Sequence, residues 1–132
     1  MKVKTIGQKV IVSATPEEVY DAFMDPEKHS AFTRSKATCD ARVGGEFTAW
    51  DGYISGKNLK LERGKKIVQE WVTTDWPQKY PPSKLELTFK KVGGCTEISM
   101  IHSKVPAEQA DDIGQGWTDF YWEPLKDYFK RN

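Results

Sequence analysis

His102 is the side chain in this sequence that is best placed for acid–base chemistry. It lies in the segment "TEISMIHSKV", where it shares one face of a predicted strand with Ile98 and Met100 and therefore points into the protein. A histidine changes charge near neutral pH, so it can act as an acid, a base or a metal ligand. An inward histidine that is satisfied by one neighbouring group is the more common arrangement, and we favour it. Tyr121 is the one other candidate, so a paired acid and base are not in place and we predict no catalytic residues.

The remaining residues do not indicate metal or phosphate chemistry. His29 and His102 have no companion at a ligand spacing, and Cys39 and Cys95 are too far apart to form a CxxC motif. Two such cysteines are typical of buried, reduced thiols in a cytoplasmic protein. The "GQG" at residues 114–116 lies inside a helical pattern and does not follow a strand, so it indicates close packing of a helix on a sheet. We therefore predict no metal and no cofactor.

The composition indicates one domain without a charge bias. The chain has 132 residues, which suits a single domain over residues 1–132. Its 20 Lys and Arg are balanced by 19 Asp and Glu, so no basic surface for nucleic acid is indicated. No segment is long and apolar enough for a membrane span, and "MKVKTIG" lacks the apolar core of a signal peptide. We expect a monomeric, cytoplasmic protein.

A second group of interest consists of aromatic residues in the stretch "GGEFTAWDGYISGKNLKLERGKKIVQEW". Asp51-Gly52 is a hairpin signal because both residues tolerate positive φ, and the flanking Trp50 and Tyr53 could form a cross-strand pair. Trp71 shares a strand face with Gln69, and an amide on an inward face suggests a pocket, since a dry core avoids unpaired amides.

Four blocks of secondary structure would position these residues. A strand is predicted over Val3–Ser13, followed by two short helices in "SATPEEVYDAF" and "PEKHSAF", each with proline in its first turn. Alternating segments between Ala37 and Val105 predict an antiparallel meander with one buried face. A long helix is predicted from Ala107 to about Lys130, and Pro124 should kink or divide it.

The apolar side of the long helix covers about half of its circumference, which is wide for a helix on a flat surface. A curved sheet that wraps around the helix explains this width. The predicted apolar side comprises Ile113, Trp117, Phe120, Tyr121, Leu125 and Tyr128.

At this point the sequence resembles a known family. The segments "TPEEVYDAF", "ARVGGEFTAWDGYISG", "KKIVQEW" and "GWTDFYWEPLKDYF" are similar, in order and spacing, to the C-terminal domain of the activator of Hsp90 ATPase, a member of the START/Bet v 1-like superfamily. The likeness runs from Val10 onward. It implies an α+β helix-grip fold, in which a curved antiparallel sheet of about six or seven strands surrounds a long C-terminal helix and two short helices follow the first strand.

The resemblance implies two functions and leaves both open. The superfamily implies a non-enzymatic domain with a hydrophobic cavity between sheet and helix that holds an apolar small molecule. The candidate lining residues are Phe47, Gln69, Trp71, Leu87, Met100, His102, Trp117 and Tyr121. The family implies instead a stress-related co-chaperone module that binds an Hsp90-type chaperone and stimulates its ATPase. The eukaryotic co-chaperone has a further, larger N-terminal domain for which 132 residues leave no room. A small cyclase or hydrolase on the same fold is a weaker alternative.

Overall fold

The structure is a computed structural model that describes residues 2–130. The expected domain limits at residues 1 and 132 lie outside the described residues. Within these residues, the seven strands are β1 (Val3–Val12), β2 (Thr38–Cys39), β3 (Glu46–Ala49), β4 (Ile54–Glu62), β5 (Lys66–Thr73), β6 (Ser83–Val92) and β7 (Cys95–Pro106). The four α-helices are α1 (Pro16–Met24), α2 (Pro26–Thr33), α3 (Ala110–Trp117) and α4 (Glu123–Tyr128). A 3₁₀ turn (Ala107–Gln109) precedes α3, and a π-helical turn (Thr118–Trp122) joins α3 to α4.

The strands form one curved antiparallel sheet in the order β1-β7-β6-β5-β4-β3-β2. Its concave face packs against α1 and the C-terminal helical segment, so the predicted α+β helix-grip arrangement is confirmed. The predicted alternation is confirmed as well, because Leu85, Leu87 and Phe89 of β6 are all buried. Their counterparts on β7, Ile98 and Met100, lie opposite them across the sheet.

The two short helices begin as their sequences predict. Thr15 caps α1 by accepting a hydrogen bond from the Glu18 backbone N–H, and the Glu18 side chain accepts in return from the Thr15 N–H. This reciprocal pair is a capping box, which satisfies two donors that a helix otherwise leaves unpaired. Asp25 ends α1 and caps α2, where its carboxylate accepts from the Glu27 and Lys28 N–H groups.

The hairpin between β3 and β4 turns at Asp51-Gly52, as predicted. Asp51 has φ 56° and Gly52 has φ 89°, and the Tyr53 N–H donates to the Trp50 carbonyl at 3.1 Å. The cross-strand pair of Trp50 and Tyr53, one possibility from the sequence, does not form. Strand pairing stops at Ala49 and Ile54, and Trp50 itself adopts φ 54°, so its ring turns towards the C-terminal helical segment.

The π-helical turn divides the long helix just before Pro124. The Glu123 N–H donates to the Thr118 carbonyl five residues earlier, which adds one residue to that turn. Pro124 has no N–H to donate to the carbonyl four residues earlier, so the α-helical hydrogen bonding is interrupted directly after the π-helical turn. The added residue brings Trp122 onto the buried side, where it stacks on Trp117 with ring centroids 5.2 Å apart.

The predicted apolar side of this helix is therefore correct in part. Trp117, Tyr121 and Leu125 are buried, but Phe120 is 54% exposed and Tyr128 is 43% exposed. Tyr128 follows the π-helical turn, where an extra residue rotates the later part of the helix surface relative to an ideal α-helix.

The "GQG" segment packs closely on the sheet at one of its two glycines. The Gly114 carbonyl accepts a 2.9 Å hydrogen bond from the Gln8 side chain, and a Cβ on Gly114 would lie 3.7 Å from both Ile6 and Gln8. A Cβ on Gly116 would instead contact Phe120 of its own helical segment. The close approach is therefore between Gly114 and β1.

Candidate functional site

A chain of hydrogen bonds centred on His102 ties the long helix to the sheet. The Trp117 indole N–H donates to His102 Nδ1 at 3.1 Å. His102 Nε2 lies 2.8 Å from Ser83 Oγ, and Ser83 Oγ donates to the Trp71 carbonyl at 2.6 Å. All of these side chains are buried, so the chain links α3, β7, β6 and β5 inside the core.

The geometry fixes the tautomer of His102. An indole nitrogen can only donate, so His102 Nδ1 must be the acceptor and Nε2 must carry the proton. His102 Nε2–H then donates to Ser83, whose own proton goes to the Trp71 carbonyl. A serine nucleophile would need the opposite arrangement, with its proton directed at an unprotonated imidazole nitrogen. The pair Ser83–His102 is therefore arranged for structure and not for nucleophilic attack.

Burial also removes the acid–base capacity of His102. The imidazole is fully enclosed, and desolvation lowers its pKa to about 3. A base with so low a pKa stays neutral near pH 7 and takes up a proton only in acid. The histidine that the sequence singled out thus acts as a hydrogen-bonding bridge.

A second buried histidine forms a smaller bridge on the other side of the core. His29 of α2 lies with Nδ1 3.1 Å from the Phe23 carbonyl and Nε2 3.1 Å from the Tyr121 hydroxyl. Desolvation lowers the pKa of His29 to about 4, with the Phe23 carbonyl opposing part of that fall. Burial likewise raises the pKa of Tyr121 well above 10. Nothing in the local sequence of His29 indicated this contact, because its partner lies in the C-terminal helical segment.

The buried amide of Gln69 has a partner on the neighbouring strand. Gln69 Nε2 donates to Asn58 Oδ1 at 2.9 Å, and Asn58 Nδ2 donates in turn to the Asp40 and Arg42 carbonyls. Asn58 lies at an irregularity in the β4–β5 register, between Asn58 and Lys60. The Gln69 amide on this inward face is therefore satisfied by Asn58. The local sequence did not indicate this contact.

Little space remains in the interior between sheet and helix. The void there measures about 20 Å³, roughly the space that one water molecule needs. Of the eight predicted lining residues, six surround this void: Phe47, Gln69, Trp71, Leu87, Trp117 and Tyr121. Met100 and His102 are buried in the packed core and lie in neither this void nor the groove described next.

A much larger concave space opens at the edge of the core. This aromatic groove has a volume of about 560 Å³ and lies between the β3–β4 turn, the end of β5 and the helix α3 with its π-helical turn. It is lined by Trp50, Tyr53, Ile54, Trp71, Thr73, Asp75, Gln109, Asp112, Ile113, Gly116, Trp117, Phe120 and Tyr121. Three of the predicted residues, Trp71, Trp117 and Tyr121, form its inner wall.

Trp50 closes one end of the aromatic groove in a strained conformation. Its φ of 54° is rare for a bulky residue, and its ring meets Phe120 edge to face at a centroid distance of 5.4 Å. The Trp50 indole N–H is near enough to Tyr121 to offset part of the rise in its pKa. It nevertheless makes no hydrogen bond of standard geometry with any described residue. Strain and unpaired donors of this kind concentrate at functional sites.

The opposite end of the aromatic groove is held by Asp75. Its carboxylate accepts a 3.0 Å hydrogen bond from the Tyr53 hydroxyl, and its backbone carbonyl accepts a 2.9 Å bond from Gln109 Nε2. Burial and the Asp75 carboxylate together raise the pKa of Tyr53. These bonds connect the β3–β4 turn, the loop after β5 and the start of the helical segment into one rim.

Residues 2–130 form neither a metal site nor a disulfide. This part of the chain brings no three His, Cys, Asp or Glu side chains together as metal ligands. Cys39 and Cys95 are both free thiols, and both are half-buried. None of the described helices combines the length and the apolar character of a membrane span.

Comparisons with known proteins agree on one family. The model of the family described as "Activator of Hsp90 ATPase homolog 1-like protein" matches residues 13–130. The human activator of 90 kDa heat shock protein ATPase homolog 1 is 36% identical over 115 residues, which is 87% of this chain and 34% of the human protein. The corresponding protein of Dictyostelium discoideum is 31% identical over 127 residues, which is 96% of this chain and 33% of that protein. The chain thus spans about a third of the length of these curated relatives.

Solved structures show the same fold. An HSP90 activator from Plasmodium falciparum superposes with a TM-score of 0.87 at 24% identity, covering 94% of each chain. The Aha1 dimer from Colwellia psychrerythraea gives a TM-score of 0.81 at 18% identity, covering 96% of each chain. Since the family model covers nearly the whole described sequence, this chain belongs to the family of activator of Hsp90 ATPase homolog 1-like proteins.

Proposed function

We propose that this domain is a non-enzymatic interaction module that binds an Hsp90-type chaperone and stimulates its ATPase weakly. The observation that carries the proposal is the filled interior, where about 20 Å³ remains between sheet and helix. A domain whose interior is packed acts through its outer surface. The named activity of its relatives, activation of the 90 kDa heat shock protein ATPase, supplies the partner.

Weak stimulation is expected because the match covers about a third of each curated relative. Where two binding modules are linked, the second binds with an effective concentration that raises the overall affinity about a hundredfold or more. A single module lacks this gain. Tested on its own, this domain should therefore act only at high concentration.

The test is an NMR titration of the isotope-labelled protein with the Hsp90 homologue of its own organism, combined with an ATPase assay. We expect shifts confined to surface strands and loops, and a rise in ATPase rate that does not saturate at low concentration. A folded, unrelated protein of similar size at the same concentration controls for unspecific stimulation. Absence of both the shifts and the stimulation would rule out the proposal.

A second candidate function is binding of a small apolar or amphipathic molecule in the aromatic groove. Its volume of about 560 Å³ lies within the range of small-molecule sites, which is roughly 300–1,000 Å³. The packed interior beneath it offers no comparable space, so such a ligand would contact Trp71, Trp117 and Tyr121 but not Met100 or His102. A titration with a neutral naphthyl alcohol should shift the indole signals of Trp71 and Trp117 if the groove binds small molecules. No shift at millimolar concentration would exclude this function.

A further inference from the structure

We infer that the aromatic groove is a site for an organic cation, an amine or ammonium group carried on an apolar body. The inference rests on the second candidate function, that a small molecule enters the groove, and adds the charge of that molecule. Neither the packed core nor the family membership specifies this charge. It follows from the side chains that line the groove.

The charged groups of the groove all have the same sign. Among the described residues that line it, Asp75 and Asp112 are the charged side chains, and no Lys, Arg or His joins them. Asp75 follows β5 on the sheet side, and Asp112 lies in the first turn of α3 on the helix side. A cation between the two walls would be attracted from both sides, and an anion would be repelled from both.

The aromatic walls favour the same charge. Trp50, Trp71, Trp117 and Phe120 all line the groove. The face of an aromatic ring carries partial negative charge, and cations bind over it, most strongly over tryptophan. The remaining wall is largely apolar, with Ile54 and Ile113 on its two sides, so it would accept the hydrocarbon part of the ligand. The lining thus combines an apolar body site with cation-binding faces.

The carboxylate of Asp75 is held in position before any ligand arrives. Its Oδ2 accepts from the Tyr53 hydroxyl at 3.0 Å, and its backbone N–H donates to Thr73 Oγ1 at 3.2 Å. The hydrogen bonds of the described residues leave its Oδ1 available to a ligand. Asp112 lies in the first turn of α3 and adds its carboxylate from the helix side of the groove. A preorganised carboxylate loses little entropy on binding a cation.

The experiment compares three probes that share one apolar body and differ in charge. These are 2-(1-naphthyl)ethylamine, 2-(1-naphthyl)ethanol and 1-naphthylacetate, each titrated at low salt while the indole N–H signals of Trp50, Trp71 and Trp117 are followed by NMR. We expect the amine to bind about five- to tenfold more tightly than the alcohol, since exposed ion pairs contribute little more than this. The carboxylate should bind more weakly than the alcohol.

Matched variants assign the preference to the two carboxylates. In the double variant Asp75→Asn with Asp112→Asn, the preference for the amine over the alcohol should fall to less than about twofold, the smaller part that the aromatic faces supply. Asp111→Asn removes a charge from the same helical turn, outside the groove lining, and should keep the preference. Equal binding of the three probes to the unaltered protein would overturn the cation inference and leave groove binding intact. Absence of binding by all three would overturn both.

Discussion

The indole N–H of Trp117 and the Nδ1 of His102 form a buried 3.1 Å hydrogen bond that joins the long helix to the central strands of the sheet. This bond sets the orientation of the Trp117 ring. The same ring forms part of the inner wall of the aromatic groove. The polar chemistry of the core thus contributes to the shape of the aromatic groove.

Removing this hydrogen bond should destabilise the protein more than removing the same ring volume elsewhere. Trp117→Phe leaves His102 Nδ1 buried without a donor, whereas Trp71→Phe breaks no side-chain hydrogen bond within the described residues. Both residues are similarly buried, at 3% and 5% exposure. We expect Trp117→Phe to lower the free energy of unfolding by about 1–3 kcal/mol more than Trp71→Phe. Urea unfolding of both variants measures the difference, and equal losses would contradict the bridging role.

Stability should fall as the pH is lowered from about 6.5, because the two buried histidines have depressed pKa values. His29 has a pKa of about 4 and His102 of about 3 in the folded protein, against 6.5 as the ordinary value. At pH values between the folded and the ordinary pKa, the unfolded chain binds more protons than the folded protein does. Each histidine should therefore lower the free energy of unfolding by about 1.4 kcal/mol for each pH unit of acidification. Their contribution is fully present above pH 6.5. The free energy of unfolding, measured between pH 7 and pH 4.5, should fall about half as steeply with pH in His102→Gln as in the unaltered protein. An unchanged pH dependence in that variant would refute the assignment.

Gly56 should tolerate no side chain. A Cβ at this position would overlap the Glu70 carbonyl and lie 2.7 Å from Cε1 of Phe47, whose ring covers the glycine. We expect Gly56→Ala to cost about 1–3 kcal/mol, as overpacked sites do. Gly94→Ala is the control, because no atom lies within 4 Å of its Cβ position, and it should change stability by less than about 0.5 kcal/mol. Thermal unfolding distinguishes them, and similar melting temperatures would contradict the packing described here.

Gln8 should be needed to hold the helix against β1. Its Nε2 donates to the Gly114 carbonyl at 2.9 Å, and its Oε1 accepts from the Trp122 indole at 2.7 Å. Gln8→Leu leaves both groups unpaired and should cost about 1–3 kcal/mol. Gln115→Leu is the control, since Gln115 bonds only to Asp119 on the exposed surface. Hydrogen exchange should rise along α3 and the π-helical turn in the Gln8 variant and stay unchanged in the control.

Local patterns were enough to predict most of the fold. The capping box at Thr15 and the turn at Asp51-Gly52 depend on residues close in sequence, and the alternation through β6 reflects a single buried face. The position of His102 on the inward face was predictable for the same reason. Each of these inferences required only the period of a strand or the chemistry of a turn.

The contents of the candidate site could not be predicted in this way. The partner of Gln69 is Asn58, and the partner of His29 is Tyr121, each on a different element of secondary structure. The burial of Trp122 depends on a π-helical turn, which departs from the period that the prediction assumed. Whether the interior is open or filled depends on how all these side chains pack together.

The position of β1 at the edge of the sheet has a consequence for how the chain folds. β1 pairs with β7, so Val10 lies opposite Ile98, 88 residues later, and the partner of β1 is the last strand of the described chain. Strands β2 to β7 are consecutive neighbours and can pair in order, but one edge of β7 stays uncovered until β1 returns to it. Closing so long a loop is slow. The open edge of β7 is then the surface at which a folding intermediate would pair with a second chain and aggregate.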